Sequence, residues 1–90
     1  MLNKKINYKT ILKSGRILVP ELYRWQYKIE SSQVLNVSIN LTVDWSNKES
    51  FLTKIRKDGY ITIPKAVQNR LKIKDLNLKS CQMDVVIEPA

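Results

Sequence analysis

Lys54-Ile55-Arg56-Lys57-Asp58-Gly59-Tyr60-Ile61-Thr62-Ile63-Pro64-Lys65 is the stretch whose reading decides the fold. Asp58-Gly59 is a turn signal, because glycine reaches positive φ without a steric penalty. Ile61 and Ile63 then alternate with polar neighbours, the period-two pattern of a strand with one buried face. Pro64 ends that strand and suits the first turn of a helix. Val67 and Leu71 follow one helical turn apart. The stretch therefore reads as strand, turn, strand and short helix.

The same order occurs earlier in the chain. Ile11, Lys13, Gly15, Ile17, Pro20, Lys28 and Ile29 fall on Ile55, Lys57, Gly59, Ile61, Pro64, Lys72 and Ile73 at a constant spacing of 44 residues. The chain has 2 glycines, and both occupy the same place in the repeat, which argues against chance. Thr10 to Val19 reads as strand, Ser14-Gly15 turn and strand. Tyr23 and Tyr27 match the apolar positions Val67 and Leu71 and are expected in the core. The helices span about two turns and need tertiary support.

Outside these cores, Leu35, Val37, Ile39, Leu41, Val43 and Trp45 alternate with polar residues. They predict a long strand, straight or bent, with one apolar and one polar face. Trp45 is expected inside. Leu76 and Leu78 keep one phase, whereas Cys81, Met83, Val85 and Ile87 keep the other, so a bulge or turn is expected near Ser80. The repeats run from about residue 8 to 45 and about 52 to 88, joined by residues 46–50 within a single domain spanning 1–90. Each half has too few strands to stand alone. Pairing about a pseudo-two-fold axis would give one closed β-barrel core.

Composition narrows the function. The 90 residues carry 16 Lys or Arg against 8 Asp or Glu, a net charge of +8. Residues 1–30 and 51–75 each carry +5, whereas 31–50 and 76–90 each carry −1. Basic fronts repeated this way fit a polyanionic partner better than a uniformly solvated surface. A count of 0 His removes imidazole catalysis and His-ligated metal. The lone Cys81 forms no internal disulfide and is expected buried and inert. Glu21 suits a helix start and Asp58 a turn, while Asp75, Asp84 and Glu88 are scattered, so no catalytic pair emerges. No enzyme and no cofactor is expected. The N-terminus lacks a signal peptide's apolar stretch, and no run approaches the roughly 20 apolar residues of a spanning helix. The expectation is a soluble, cytoplasmic protein with no membrane contact.

The stretch 54–65 resembles the signature of the AbrB/SpoVT/MazE superfamily of swapped-hairpin DNA-binding domains. Leu12-Lys13-Ser14-Gly15-Arg16-Ile17-Leu18-Val19-Pro20-Glu21-Leu22 looks like a second copy. The resemblance implies a mostly β fold with short helices. Its core is a swapped-hairpin, double-psi-like β-barrel formed as an intramolecular pseudo-dimer of two AbrB-like repeats. It further implies a double-stranded DNA partner and transcriptional repression by operator occupancy. Carried over by position, the DNA-binding set is Lys9, Lys13, Arg16 and Arg24 in repeat one. In repeat two it is Lys54, Arg56, Lys57, Tyr60, Gln68 and Asn69, with Thr53 beside them. The pattern departs from the family at Tyr60, where a turn Arg is usual. Trp25, Gln68 and Asn69 depart where paired helix arginines are usual. Lys28 and Lys72 stand in place of the glycine after the helix. The halves are therefore unequal, and an asymmetric DNA site or one stronger half is the expectation.

Each candidate has a plainer reading. Arg16 and Arg24 can fork to guanine edges or clamp phosphates, or merely solubilise. Gln68 and Asn69 read adenine or are ordinary helix-surface amides. Tyr60 stacks or bonds to phosphate, or is a barrel-edge aromatic. The lysines position DNA without specifying sequence, and about half are expected to be plain surface. Trp25 packs on the N-terminal segment, touches DNA, or marks a face for self-association or a protein partner. Rival functions are an antitoxin, an architectural DNA coat and a protein-inhibiting module. The last apolar strand residue is Ile87 and the sequence ends at Ala90, so no toxin-wrapping arm is expected.

Overall fold

The structure, a computed structural model, describes residues 1–40, 48–71 and 81–90. Its elements are β1 (Ile6–Leu12), β2 (Arg16–Leu18), α1 (Glu21–Gln26), β3 (Leu35–Asn40), β4 (Glu49–Thr53), β5 (Tyr60–Thr62), α2 (Lys65–Arg70) and β6 (Cys81–Pro89). The protein is mostly β with two short helices. A four-stranded antiparallel sheet runs β1-β6-β3-β4, and β2 pairs with β5 in a second, two-stranded antiparallel sheet. Among the described residues these sheets do not close on one another. No helix of the described residues is long and apolar enough to cross a membrane.

Period-two alternation sets which side chains enter the core. Tyr8 and Leu12 of β1, Val37 and Ile39 of β3, Phe51 of β4, and Met83, Val85 and Ile87 of β6 are buried. Ile17, Val19, Ile61 and Ile63 meet them from the second sheet and its flanks, and Val67 of α2 closes over them. Burying each such aliphatic side chain contributes about 1.5–3 kcal/mol. Tyr23 and Tyr27 are half-buried against this core, in an edge-to-face chain with Tyr8 at centroid distances of 5.4 and 6.0 Å. The Tyr8 hydroxyl donates to the Leu18 carbonyl at 3.1 Å. Burial first, then the neighbouring Tyr23, holds the Tyr8 phenol well above the usual tyrosine range. Leu2 is buried as well, and the Gln33 side-chain amide exchanges two hydrogen bonds of 2.7 Å with its backbone.

The repeat differs from a uniform spacing of 44 residues. The first tip is a two-residue loop. Lys13 and Arg16 exchange backbone bonds of 3.0 and 3.1 Å, with Ser14 and Gly15 at φ 54° and 72°. The second tip holds three residues, Lys57, Asp58 and Gly59, closed by Arg56 N to Tyr60 O at 2.9 Å. One extra residue reverses the alternation upstream of the tip. Leu12, 3% exposed, therefore corresponds to Ile55, 4% exposed, while Ile11 is 53% exposed. Ile11 is thus not the counterpart of Ile55, and Lys13 corresponds to Arg56, not to Lys57.

With that correction the halves correspond strand by strand. Moving β1 forward by 43 residues and β6 back by 48 converts the pair Tyr8↔Val85 into Phe51↔Val37, and Thr10↔Met83 into Thr53↔Leu35. Ile17 pairs directly with Ile61, its own counterpart, at the middle of β2 and β5. Val19 N donates to Gly59 O, and Ile63 N donates to Gly15 O, both at 2.9 Å. Pro20 and Pro64 precede the two helices with nearly equal φ, −54° and −55°.

Two expectations need amendment. β3 is apolar inward, but its other face is not solvated throughout, since Ser38 and Asn40 are buried. Ser38 and Ser50, cross-strand partners, share a hydroxyl–hydroxyl bond of 2.8 Å. Trp25 does not pack on the N-terminal segment, being 77% exposed. The expected strand continuation from Leu41 to Trp45, the bulge near Ser80, Lys72 and the Cys81 side chain lie outside the described residues.

Candidate nucleic-acid interface

Because Tyr8 and Leu12 point inward, the alternate residues Lys9 and Ile11 point outward along β1, and Lys13 follows directly after it, exposed. They line a groove with Thr10, Arg16, Leu18, Tyr60 and Gln82. Four sequence candidates thus come together: Lys9, Lys13, Arg16 and Tyr60. Arg16 and Tyr60 hold matching places after the two tips and meet on the outer face of the β2–β5 pair. The Arg16 guanidinium lies over the Tyr60 ring, 5.0 Å from its centroid. The ring's negative face attracts the cation, and both remain half-exposed toward the groove.

Lys54 and Arg56, leading into the second tip, and Lys57 within it are all exposed and outside the lining of that groove. Arg56 pairs with Asp58 at 3.3 Å, which lowers the net charge of this tip relative to its basic count. Both partners are well exposed, so the pair adds about 0–1 kcal/mol of stability. A second Asp58 oxygen accepts the Tyr60 backbone N–H at 3.1 Å and shapes the turn. Thr53 is half-buried at the end of β4, and Asn69 is exposed on α2.

Arg24 and Gln68 turn away from the groove. Arg24 Nε donates to the Val19 carbonyl at 3.1 Å, and Gln68 Nε2 donates to the Ile63 carbonyl at 2.8 Å. Each lies over the tip glycine of the opposite half. A Cβ on Gly59 would stand 2.6 Å from Arg24 Cζ, and one on Gly15 would stand 2.9 Å from Gln68 Nε2. Both side chains brace the hairpins, a role invisible when only helix-surface position is considered.

Lys28 adopts φ 53° directly after α1. Lys28 N donates to Trp25 O and Ile29 N to Arg24 O, the paired bonds that end a helix through a left-handed residue. Lys28 thus takes the left-handed geometry that a glycine favours at this position. Ile11, Leu18, Thr10 and Gln82 were missed as groove residues. A β1 phase starting from Ile6 and Tyr8, carried as far as Leu12, contains the signal for Ile11.

No protein-family model and no curated protein matches the sequence. The fold is similar to that of PHS018 from Pyrococcus horikoshii, known from a solution structure. The TM-score is 0.75 at 22% identity, covering 92% of this chain and 88% of the other.

Proposed function

We propose that this protein binds double-stranded DNA and regulates transcription as an AbrB-like repressor that occupies an operator in the cytoplasm. In this reading the two halves form one pseudo-dimeric swapped-hairpin barrel. The observation that carries it is the gathering of Lys9, Lys13 and Arg16 beside Tyr60 in one outward groove. The lysines neutralise phosphates, and Arg16 supplies a fork matched to a guanine edge or a phosphate. Ile11 offers an apolar contact of the kind a thymine methyl accepts. The reciprocal contacts of Arg24 with Gly59 and Gln68 with Gly15 support the interleaved arrangement. They assign Arg24 and Gln68 to holding the tips, leaving base contact to Arg16, Tyr60 and the tip residues.

A second reading has its own observation. Leu22 and Trp25 stand 62% and 77% exposed side by side on α1, a surface suited to a protein contact.

Fluorescence anisotropy on a randomised duplex pool and on the DNA upstream of the protein's own gene separates these readings. A set of about six phosphate contacts loses about a thousandfold in affinity between 50 and 200 mM salt. Preference for the upstream duplex that persists at high salt supports the regulator. Steep salt loss without preference supports an architectural coat, and absence of binding at low salt overturns the DNA reading.

A further inference from the structure

The two halves match in register and bonding but differ in the chemistry they present. On the corrected correspondence, Lys9 matches Leu52, Ile11 matches Lys54, Lys13 matches Arg56 and Arg16 matches Tyr60. Lys57 has no counterpart, because the second tip is one residue longer. A binder with two equal halves sees both orientations of a duplex alike and selects an inverted repeat. Here the backbone supplies two similar halves, while the side chains remove the equivalence at Lys9 and Leu52, Ile11 and Lys54, and Arg16 and Tyr60, leaving Lys13 and Arg56 alike in charge.

We propose that this protein reads a non-palindromic duplex in one fixed orientation, with the Lys9, Lys13 and Arg16 edge on one half-site and the Lys54, Arg56 and Lys57 tip on a chemically different one. This rests on the duplex-binding reading of the groove. The centre decides the direction. Arg16 and Tyr60 occupy one contact of 5.0 Å, where two arginines would place like charges together. Only one side of the centre therefore carries a guanidinium fork able to make a bidentate guanine contact. The opposite side presents a phenol, which supplies one hydroxyl and a ring face. The tips differ in the same sense: the two-residue loop after Lys13 is Ser14-Gly15 and carries no acidic residue, while Arg56 is held by Asp58 at 3.3 Å with Lys57 next to it in sequence.

The test selects duplexes from a randomised pool with the intact wild-type chain. The selected site is then compared with its two palindromic versions, each made by repeating one half-site inverted. The expected consensus lacks two-fold symmetry, and both palindromes bind more weakly, by roughly fivefold or more for each altered base pair. Hydroxyl-radical footprints of the wild-type complex should protect the two half-sites unequally. In Tyr60→Arg the preference should move toward the palindrome built from the Arg16 half-site. A palindromic consensus with equal footprints overturns the proposal, as does binding without sequence preference, while either leaves duplex binding itself standing. Failure to bind any duplex at low salt overturns the underlying reading instead.

Discussion

Arg16 and Tyr60 are 44 residues apart in sequence and hold matching places in the two halves, yet they touch each other, guanidinium over ring, at 5.0 Å. A half-exposed cation–π contact contributes about 0.5–1 kcal/mol. Arg16→Ala should therefore cost about that much stability in a urea titration. Its effect on DNA should be larger, about 1–3 kcal/mol of affinity. Arg16→Lys should keep part of the phosphate attraction but lose the planar fork. A stability loss with unchanged duplex affinity would remove Arg16 from the interface.

The tip glycines should tolerate substitution unequally. Gly15 and Gly59 sit at φ +72° and +88°, so alanine at either position meets a backbone penalty of about 1–2 kcal/mol. Gly59→Ala also drives its Cβ to 2.6 Å from Arg24 Cζ, forcing Arg24 from its bond to Val19. Gly59→Ala should be the more destabilising, by roughly 1 kcal/mol. In an Arg24→Ala background the extra cost of Gly59→Ala should shrink to the backbone penalty alone. Equal effects in both backgrounds would show that Arg24 does not brace the tip.

Lys28 offers a stabilising change. Its φ of 53° costs an L-residue about 1–2 kcal/mol, and glycine removes that strain while adding freedom to the unfolded chain. Lys28→Gly should raise stability by about 0.5–1 kcal/mol, seen as a higher thermal midpoint. An unchanged or lower midpoint would argue against left-handed geometry there.

Tyr8 sets an alkaline limit. Its phenol is held above the unfolded value of about 10, so the native state keeps a proton that the unfolded chain releases. The resulting stability is complete below about pH 10 and falls as pH rises beyond it, by up to about 1.4 kcal/mol per pH unit. Tyr8→Phe should cost about 0.5–1.5 kcal/mol at neutral pH through loss of the bond to Leu18. The gap between wild type and Tyr8→Phe should close as pH climbs from about 9 to 11.5. Parallel pH profiles for the two proteins would contradict burial of the Tyr8 hydroxyl.

Much of the fold was legible in the sequence because it depends on local signals. Gly15, Gly59, Pro20 and Pro64 mark turns and helix starts by their own backbone constraints. Ile17, Val19, Ile61 and Ile63 declare strand phase by alternation. The tip lengths were not legible, since the identities of Ile11 with Ile55 and Lys13 with Lys57 concealed a one-residue difference that only backbone bonding reveals. The groove was half legible. Lys9, Lys13, Arg16 and Tyr60 fall together, but Arg24 and Gln68 turn inward because each finds a carbonyl in its own half and a glycine in the other. Such a contact crosses between halves and leaves no trace in sequence spacing.

The crossed bracing of the tips has a kinetic side. Arg24 must reach Gly59 and Gln68 must reach Gly15, so neither hairpin is complete until distant parts of the chain have met. Closing those loops costs entropy before the contacts return any of it. Folding should consequently be a single slow event, on the order of milliseconds to seconds. Because every partner lies on one chain, its rate should stay the same however far the solution is diluted.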